Sequence, residues 1–342
     1  MLLTGPDLAD RIRGMLLCVA IGDALGNRSE SRSPQRRFEE FGHITDYLPN
    51  RHVRGRRVGT PSDDTQLTFW TVEHLLEHGR LEPDALSTVF ASRQIYGRGR
   101  ATGDFVHARQ AGASWQDAGQ PSAGNGALMR IAPIVLPHLR GDRSSLSRET
   151  AIAAAITHND PLAIASAVAW VALLWRLLGG DVPDSPVAWL DEYINVLRPL
   201  DHDQEYVTRL PDGPLCGWRG SASALLDGPV RSALTQGLDV RTACNSWYSG
   251  AYLLETVPSV MYILARHGHE PEVAIEKAVN ETRDNDTVAA IVGAAMGAAH
   301  GTTWIPKRWI DGLLGRTQAD DDGRVFELID AAVARFVSSQ ET

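Results

Sequence analysis

Residues 284–301 read DNDTVAAIVGAAMGAAHG, and this stretch indicates the class of fold. Two carboxylates and a hydroxyl precede an apolar run in which Gly293, Gly297 and Gly301 recur every fourth residue. In an α-helix, residues four apart lie on one face. Glycine costs roughly 1 kcal/mol in a helix interior, so a stripe of three indicates close contact with another helix. We therefore expect a helix over 287–301 near the centre of a helical bundle.

Helical periodicity also dominates the rest of the chain. We find no alternating run of β-branched residues and no strand–helix–strand rhythm. Hydrophobic residues make up 43% of the 342 residues, which is enough for a sizeable core. The sequence predicts an all-α fold in one domain over 1–342. A first helix should run from Leu8 into residues 22–26, and further helices are expected over 65–77, 83–96, 148–157, 161–178, 186–196, 251–267, 270–280 and 323–338.

Two long polar stretches, 26–62 and 199–239, separate the predicted helices. Connections of this length inside a compact domain are often functional. The first contains Arg51, Arg54, Arg56 and Arg57, which could contact phosphate. We interpret this arginine-rich segment as a solvated loop.

Charge and cysteine content narrow the class of protein. The chain has 33 basic and 42 acidic residues and a net charge of -9, which argues against general neutralisation of nucleic-acid phosphates. Cys18, Cys216 and Cys244 are isolated, as expected in a reducing compartment. Residues 1–26 do not resemble a signal peptide, and the apolar run 163–178 is shorter than the roughly 20 residues that span a bilayer. We expect a monomeric cytoplasmic protein without membrane association.

Two acidic clusters carry the strongest chemical signal. Ser62-Asp63-Asp64-Thr65 follows a Gly-Thr-Pro breaker, and Asp284 and Asp286 precede the glycine-striped helix. Each cluster alone is explained by helix capping and by the helix dipole. If the four aspartates converge, a cation must offset their repulsion. An all-oxygen ligand set favours Mg²⁺, with Mn²⁺ or Ca²⁺ as substitutes.

Five motifs in order resemble the ADP-ribosylglycohydrolase family. They are GDALG at 22–26 followed by Glu30, SDDT at 62–65, GNGALMR at 124–130, TH at 157–158 and DNDT at 284–287. Each is weak alone, but five in order across most of the chain are highly specific. The resemblance implies an orthogonal helical bundle with a binuclear Mg²⁺ site in a central cleft.

The resemblance also assigns roles by motif position. It implies metal ligands at Ser62, Asp63, Asp64, Asp284, Asp286 and Thr287. The family usually has threonine where this chain has Ser62. Catalytic roles are implied for Glu30, Asp63, Asp64 and Asp286. Substrate contacts are implied for Gly97, Gly99, Thr102, Asn125, Gly126 and His158.

Several of these residues also have a purely structural interpretation. Glu30 could be a solvated loop carboxylate, and His158 could cap a helix. We assign Asp23 to hydrogen bonding at a helix end. Trp247, Tyr248 and Tyr252 are assigned to core packing, with stacking of one of these rings on adenine as the alternative.

The implied reaction is hydrolysis of the glycosidic bond between ADP-ribose and an acceptor. It passes through an oxocarbenium-like state, for which two Mg²⁺ ions, with Mn²⁺ as a possible substitute, would orient the ribose and polarise a water. The substrate would be an ADP-ribosylated macromolecule or a small ADP-ribose conjugate, with arginine-linked protein as the first expectation. Serine-linked, nucleic-acid-linked and O-acetyl-ADP-ribose remain alternatives. Two other hypotheses are a metal-dependent phosphohydrolase and a catalytically silent ADP-ribose-binding relative.

Overall fold

The computed structural model describes residues 5–139 and 143–337. Helices make up nearly all regular structure in this part of the chain, which confirms the predicted all-α fold. The α-helices are α1 (Gly5–Asn27), α2 (Pro34–Phe41), α3 (Asp63–His78), α4 (Pro83–Ser92), α5 (Arg100–Gln110), α6 (Trp115–Ala118), α7 (Arg143–Ala155), α8 (Pro161–Leu178), α9 (Pro186–Asp201), α10 (Ala222–Leu225), α11 (Arg231–Thr235), α12 (Val240–Ser246), α13 (Leu253–His267), α14 (Pro271–Glu281), α15 (Asn285–His300), α16 (Lys307–Gly312) and α17 (Arg324–Phe336). The last residue of the predicted helix over 323–338 lies outside the described residues, as do both ends of the predicted domain.

Short elements complete the described structure. Two strands, β1 (Tyr206–Val207) and β2 (Arg219–Gly220), pair antiparallel with Tyr206 opposite Gly220. Three short 3₁₀ segments lie at Arg51–Val53, Leu128–Arg130 and Ala132–His138, and a π-helical turn covers Leu226–Val230.

The predicted helix over 83–96 ends early, at Ser92. The Gln66 side chain of α3 accounts for this end. Its Nε2 donates to the Gln94 carbonyl (3.1 Å), and its Oε1 accepts from the Tyr96 N–H (2.8 Å). These bonds hold the backbone after α4 in an extended path that leads to Gly97.

The first polar stretch, 26–62, is not a plain loop, because it contains α2 and a 3₁₀ segment. Arg37 of α2 is fully buried. Its guanidinium donates to Ser29 Oγ (3.1 Å) and to the Thr282 carbonyl (2.7 Å). The stretch is therefore attached to the residues that precede α15. The second stretch, 199–239, likewise contains β1, β2, α10 and α11.

Helices α1 and α15 contact each other directly through their backbones. A Cβ on Gly297 would lie within 3.0 Å of the Gly14 main chain, and a Cβ on Gly293 would meet the main chain of Cys18 equally closely. Cβ atoms essentially never approach other atoms so closely. The glycine stripe of α15 therefore serves the close helix contact that its spacing predicts.

The same contact continues toward the end of α1. A Cβ on Gly22 would fall on the main chain of Ala289, and a Cβ on Gly26 would fall on that of Asp286. The two helices thus run antiparallel, with the last turn of α1 beside the first turn of α15. This arrangement brings the segment after Gly26 next to the acidic cluster at 284–287.

Helix α8 is the most apolar helix. It has 18 residues with a mean hydropathy of 1.8, so by length and composition it could cross a membrane, contrary to the expectation that the run is too short. However, 78% of it is buried inside the fold. A central helix of a bundle has the same composition, because it is surrounded by other helices.

We predict that Gly297→Ala lowers the free energy of unfolding by about 1–3 kcal/mol, because the added methyl group overpacks the contact with Gly14. Gly103→Ala in α5 is the matched control, since its Cβ would make only an ordinary van der Waals contact, 3.8 Å from Arg98 Nε. The control should raise stability by about 0.4–1 kcal/mol. Denaturant unfolding of both variants measures the difference, and equal stability would contradict backbone contact at Gly297.

Candidate active site

The two acidic clusters meet beside the end of α1. Asp23, in the last turns of α1, accepts hydrogen bonds at Oδ2 from the N–H groups of Ser62 (2.8 Å) and Thr65 (3.1 Å). The Ser62 side chain makes no capping bond to α3. Asp23 therefore caps the first turn of α3, as predicted for a residue at a helix end, and fixes α3 against α1.

Six carboxylates surround this point, and the oxygens of five of them form two overlapping groups. Oxygens of Asp23, Asp64 and Asp286 lie within 4.8 Å of one another, and so do oxygens of Glu30, Asp284 and Asp286. Asp286 belongs to both groups. Among the described residues, Asp63 belongs to neither group, although it lines the same cavity. The arrangement offers two adjacent positions for cations that bind oxygen.

The cluster strongly opposes full ionisation. Burial raises the pKa values of Asp64 and Asp286 well above their usual range, and neighbouring carboxylates add to the effect. Burial followed by the charge of Asp23 raises the pKa of Asp63 to about 8. Burial followed by the charge of Asp284 raises the pKa of Glu30 to about 7. Without a cation, the cluster retains protons near neutral pH.

Hydroxyl and amide groups complete the cluster. Ser62 Oγ and Thr287 Oγ1 both donate to Asp64 Oδ2, at 3.2 Å and 3.3 Å. Asn125 Nδ2 donates to Asp284 Oδ2 (2.6 Å) and to Thr256 Oγ1 (3.0 Å). Since both N–H bonds of Asn125 have protein partners, only its carbonyl oxygen is left for a ligand.

A cavity of about 420 Å³ opens over the carboxylates. Ser62 does not line it but lines a neighbouring cavity. The cavity is lined by every other site residue that the motifs indicate, namely Glu30, Asp63, Asp64, Gly97, Gly99, Thr102, Asn125, Gly126, His158, Asp284, Asp286 and Thr287.

One wall of the cavity is the first turn of α5. Gly99 is the N-cap of this helix, and Arg100, Ala101 and Thr102 line the cavity with it. A helix N-terminus carries unpaired N–H groups and a partial positive charge, which favour anions such as phosphate. This wall is therefore suited to a diphosphate.

His158 is buried on another wall, where its protonation is fixed by two neighbours. Arg130 Nη2 donates to Thr157 Oγ1 (2.7 Å), which lies 2.9 Å from His158 Nδ1. The Thr157 hydroxyl proton is therefore directed to Nδ1, which leaves the imidazole proton on Nε2. Burial, with the charge of Arg130 as a second cause, lowers the pKa of His158 to about 3. His158 is thus a neutral donor facing the cavity beside Gly126.

Arg209 also lines the cavity, next to Tyr252, and was missed by the sequence analysis. The Arg209 guanidinium lies over the Tyr252 ring, 4.3 Å from its centroid, and its Nε donates to Glu255 at 3.2 Å. Tyr252 is half-buried and packs against the core, as predicted, but it also lines the cavity. Trp247 is buried, as predicted. No local pattern marks Arg209, because the chain must first fold back after β1 to place it there.

Comparisons with known proteins identify the family of the chain. A family model described as ADP-ribosylglycohydrolase matches residues 4–341. The chain is 24% identical to the ADP-ribosyl-[dinitrogen reductase] glycohydrolase of Rhodospirillum rubrum, covering 91% of this chain and 92% of that protein. It is 23% identical to the ADP-ribosylarginine hydrolase Tri1 of Pseudomonas putida (strain GB-1), covering 90% and 76%. A solved structure described as an ADP-ribosylglycohydrolase-related protein complex has a TM-score of 0.71 at 25% identity, covering 96% of this chain and 98% of that chain.

We predict that His158 stays neutral, with its proton on Nε2, from pH 8 down to pH 5, because its pKa is lowered to about 3. In the unfolded chain it takes up a proton near its ordinary pKa of 6.5, whereas the folded protein resists this until about pH 3. The free energy of unfolding therefore falls as the pH drops from 6.5 toward about 3, by up to about 1.4 kcal/mol per pH unit.

Imidazole ¹⁵N spectra, assigned with His158→Gln, measure the protonation state directly. Denaturant unfolding of the wild-type protein and the variant between pH 7 and 5 measures the stability linked to this protonation. The variant should lose less free energy of unfolding as the pH falls. A His158 signal that titrates near pH 6.5 would contradict the buried neutral donor.

Proposed function

The chain belongs to the ADP-ribosylglycohydrolase family of glycosidase-type hydrolases, and we propose that it cleaves ADP-ribosyl bonds with two divalent cations at its acidic cluster. The observation that carries the proposal is Asp286, whose carboxylate is shared by two groups of three carboxylates. Repulsion within such a cluster is relieved most directly by cations.

The donor set fits two Mg²⁺ ions, with Mn²⁺ as a substitute, because it consists of carboxylate and hydroxyl oxygens. Ser62, Asp63, Asp64, Asp284, Asp286 and Thr287 are the ligands that the resemblance implies. The carboxylates of Asp23 and Glu30 extend that set, since each lies within one of the two groups. When bound, the cations would hold the vicinal ribose hydroxyls and make a water more acidic.

The remaining walls can hold the diphosphate of the substrate. The first turn of α5 offers unpaired N–H groups, and Arg209 offers a guanidinium in the same cavity. His158 adds an uncharged N–H donor on the cavity wall. Binding distant parts of ADP-ribose in this way fixes the reacting ribose over the carboxylates.

Glu30 is the proposed general acid or base. It lines the cavity over the carboxylates and also the cavity next to it. A side chain at that boundary lies between the ribose and the departing acceptor, where a proton must be delivered to the leaving group. The carboxylate that positions water on the other side of the ribose is one of the cation ligands.

Arginine-linked ADP-ribose on a protein is the proposed substrate. One relative is named for ADP-ribosylarginine and another for ADP-ribosyl-dinitrogen reductase. Serine-linked, nucleic-acid-linked and O-acetyl-ADP-ribose are the alternative conjugates. A catalytically silent ADP-ribose-binding relative is disfavoured, because all four motif aspartates are present and line one cavity.

The direct test is release of free ADP-ribose from a panel of these conjugates, with Mg²⁺ and with EDTA. We expect release from ADP-ribosyl-arginine with Mg²⁺ and none with EDTA. Asp286→Asn removes the shared carboxylate and should reduce release by more than about 100-fold. Asp184→Asn, at an exposed aspartate, is the control. Full activity of Asp286→Asn, or activity undiminished by EDTA, would refute the two-cation site.

Glu30→Gln tests the proton transfer separately from binding. We expect kcat to fall by roughly 10²–10⁴-fold, the usual contribution of general acid–base catalysis. The Kd of ADP-ribose, measured by calorimetry, should change only a few-fold, because the diphosphate contacts remain. A near-normal kcat would instead identify Glu30 as a solvated loop carboxylate.

A further inference from the structure

A second cavity, of about 570 Å³, adjoins the active-site cavity. Glu30 and Gly97 line both cavities, and Asn50, His52 and Tyr96 contribute to the walls of the second. If ADP-ribose fills the first cavity with its reacting ribose beside Glu30, the acceptor extends into the second. This inference rests on the proposed function.

The segment that contributes Asn50 and His52 to the second cavity is unusually basic for this chain. Residues 27–60 contain eight arginines and four acidic residues, whereas the whole chain has a net charge of -9. A smaller cavity of about 440 Å³ that also includes Glu30 is lined by Arg28, Arg32 and Arg51. Arg57 lies beside Arg28 on the wall of a further cavity.

Arg51, Arg54 and Arg57 are exposed and have no ionic partner among the described residues. In the part of the chain that the structure describes, no carboxylate oxygen lies within 4.0 Å of the guanidinium groups of Arg51, Arg54 or Arg57. By contrast, Arg32 nearby is paired with Glu40 at 2.5 Å. We call Arg51, Arg54 and Arg57 the arginine rim.

The backbone that carries the arginine rim is held in place. Asn50 Oδ1 accepts from the His52 N–H (2.9 Å), which caps the 3₁₀ segment Arg51–Val53. The Asn50 N–H donates to the Arg56 carbonyl (3.1 Å), and its carbonyl accepts from the Gly55 N–H (2.9 Å). The segment is thus closed on itself, so presenting its charges to a partner costs little backbone entropy.

We propose that the arginine rim binds acidic residues that flank the modified arginine of a protein acceptor. The enzyme then places negative charge at the centre, at Glu30 and the aspartates, and positive charge around it. A cationic arginine with acidic neighbours has the complementary pattern. A nucleic acid fits less well, because the phosphates nearest the reacting bond would face the carboxylates.

The test compares peptides that carry one ADP-ribosyl-arginine between aspartates, between serines or between lysines. Free ADP-ribosyl-arginine and an ADP-ribosylated oligonucleotide complete the set. At low ionic strength we expect kcat/KM to be about tenfold or more higher for the aspartate peptide than for the serine peptide, mainly through KM, and to be lowest for the lysine peptide. The preference should shrink as salt is added, because the rim is exposed.

Two matched variants locate the effect. Arg51→Glu/Arg57→Glu should abolish or invert the preference for aspartate peptides. Arg148→Glu/Arg266→Glu changes two exposed arginines on α7 and α13, and so changes the net charge equally while leaving the preference intact. Melting temperatures show whether the variants fold, and the salt dependence of the wild-type enzyme tests the proposal without any variant.

The outcomes separate this proposal from the proposed function. Cleavage of free ADP-ribosyl-arginine together with equal rates on all three peptides would overturn the arginine rim and leave the proposed function standing. No cleavage of any arginine conjugate would overturn both. Preference for the oligonucleotide, lost in Arg51→Glu/Arg57→Glu, would replace the acidic protein acceptor with a nucleic acid.

Discussion

Direct backbone contact between α1 and α15 determines where the acidic cluster can form. Glycines on both helices let the main chains meet at the Gly14–Gly297 and Gly22–Ala289 pairs. Side chains at these positions would hold the helices apart, since ordinary helix pairs are separated by 8–10 Å. The antiparallel contact places the last turn of α1 against the first turn of α15, and α3 is fixed there by Asp23. The carboxylates converge because three helix ends converge.

The sequence predicts the parts of this arrangement that are local. The stripe in α15 is evident because three glycines follow at one spacing, and the acidic pairs are evident because each starts a helix. The partner stripe in α1 is interrupted by Cys18, so periodicity alone does not reveal it. Arg209 and Tyr252 depend on how the chain folds back after β1, and no spacing of residues encodes that path. The early end of α4 has the same kind of cause, since it depends on Gln66 of another helix.

The electrostatic cost of the cluster is partly offset by the fold itself. Asp63 and Asp64 lie in the first turn of α3, and Asp286 lies in the first turn of α15. Helix N-termini stabilise negative charge by about 0.3–1 kcal/mol per group, and up to about 2 kcal/mol where burial is favourable. That is less than the several kcal/mol that burial of each unpaired charge costs. The raised pKa values express this deficit, which the proposed cations would relieve.

The buried guanidinium of Arg37 connects the two sides of the site. It binds Ser29, next to Glu30, and the Thr282 carbonyl, just before the second acidic cluster. Asn285 adds a second tie by donating to the same Ser29 hydroxyl at 2.9 Å. The segment proposed to face the acceptor and the segment proposed to bind the cations are therefore tied to each other by hydrogen bonds. Thermodynamic linkage then applies to the two proposed ligands. If a bound acceptor raises the affinity for the cations by some factor, the bound cations raise the affinity for the acceptor by the same factor.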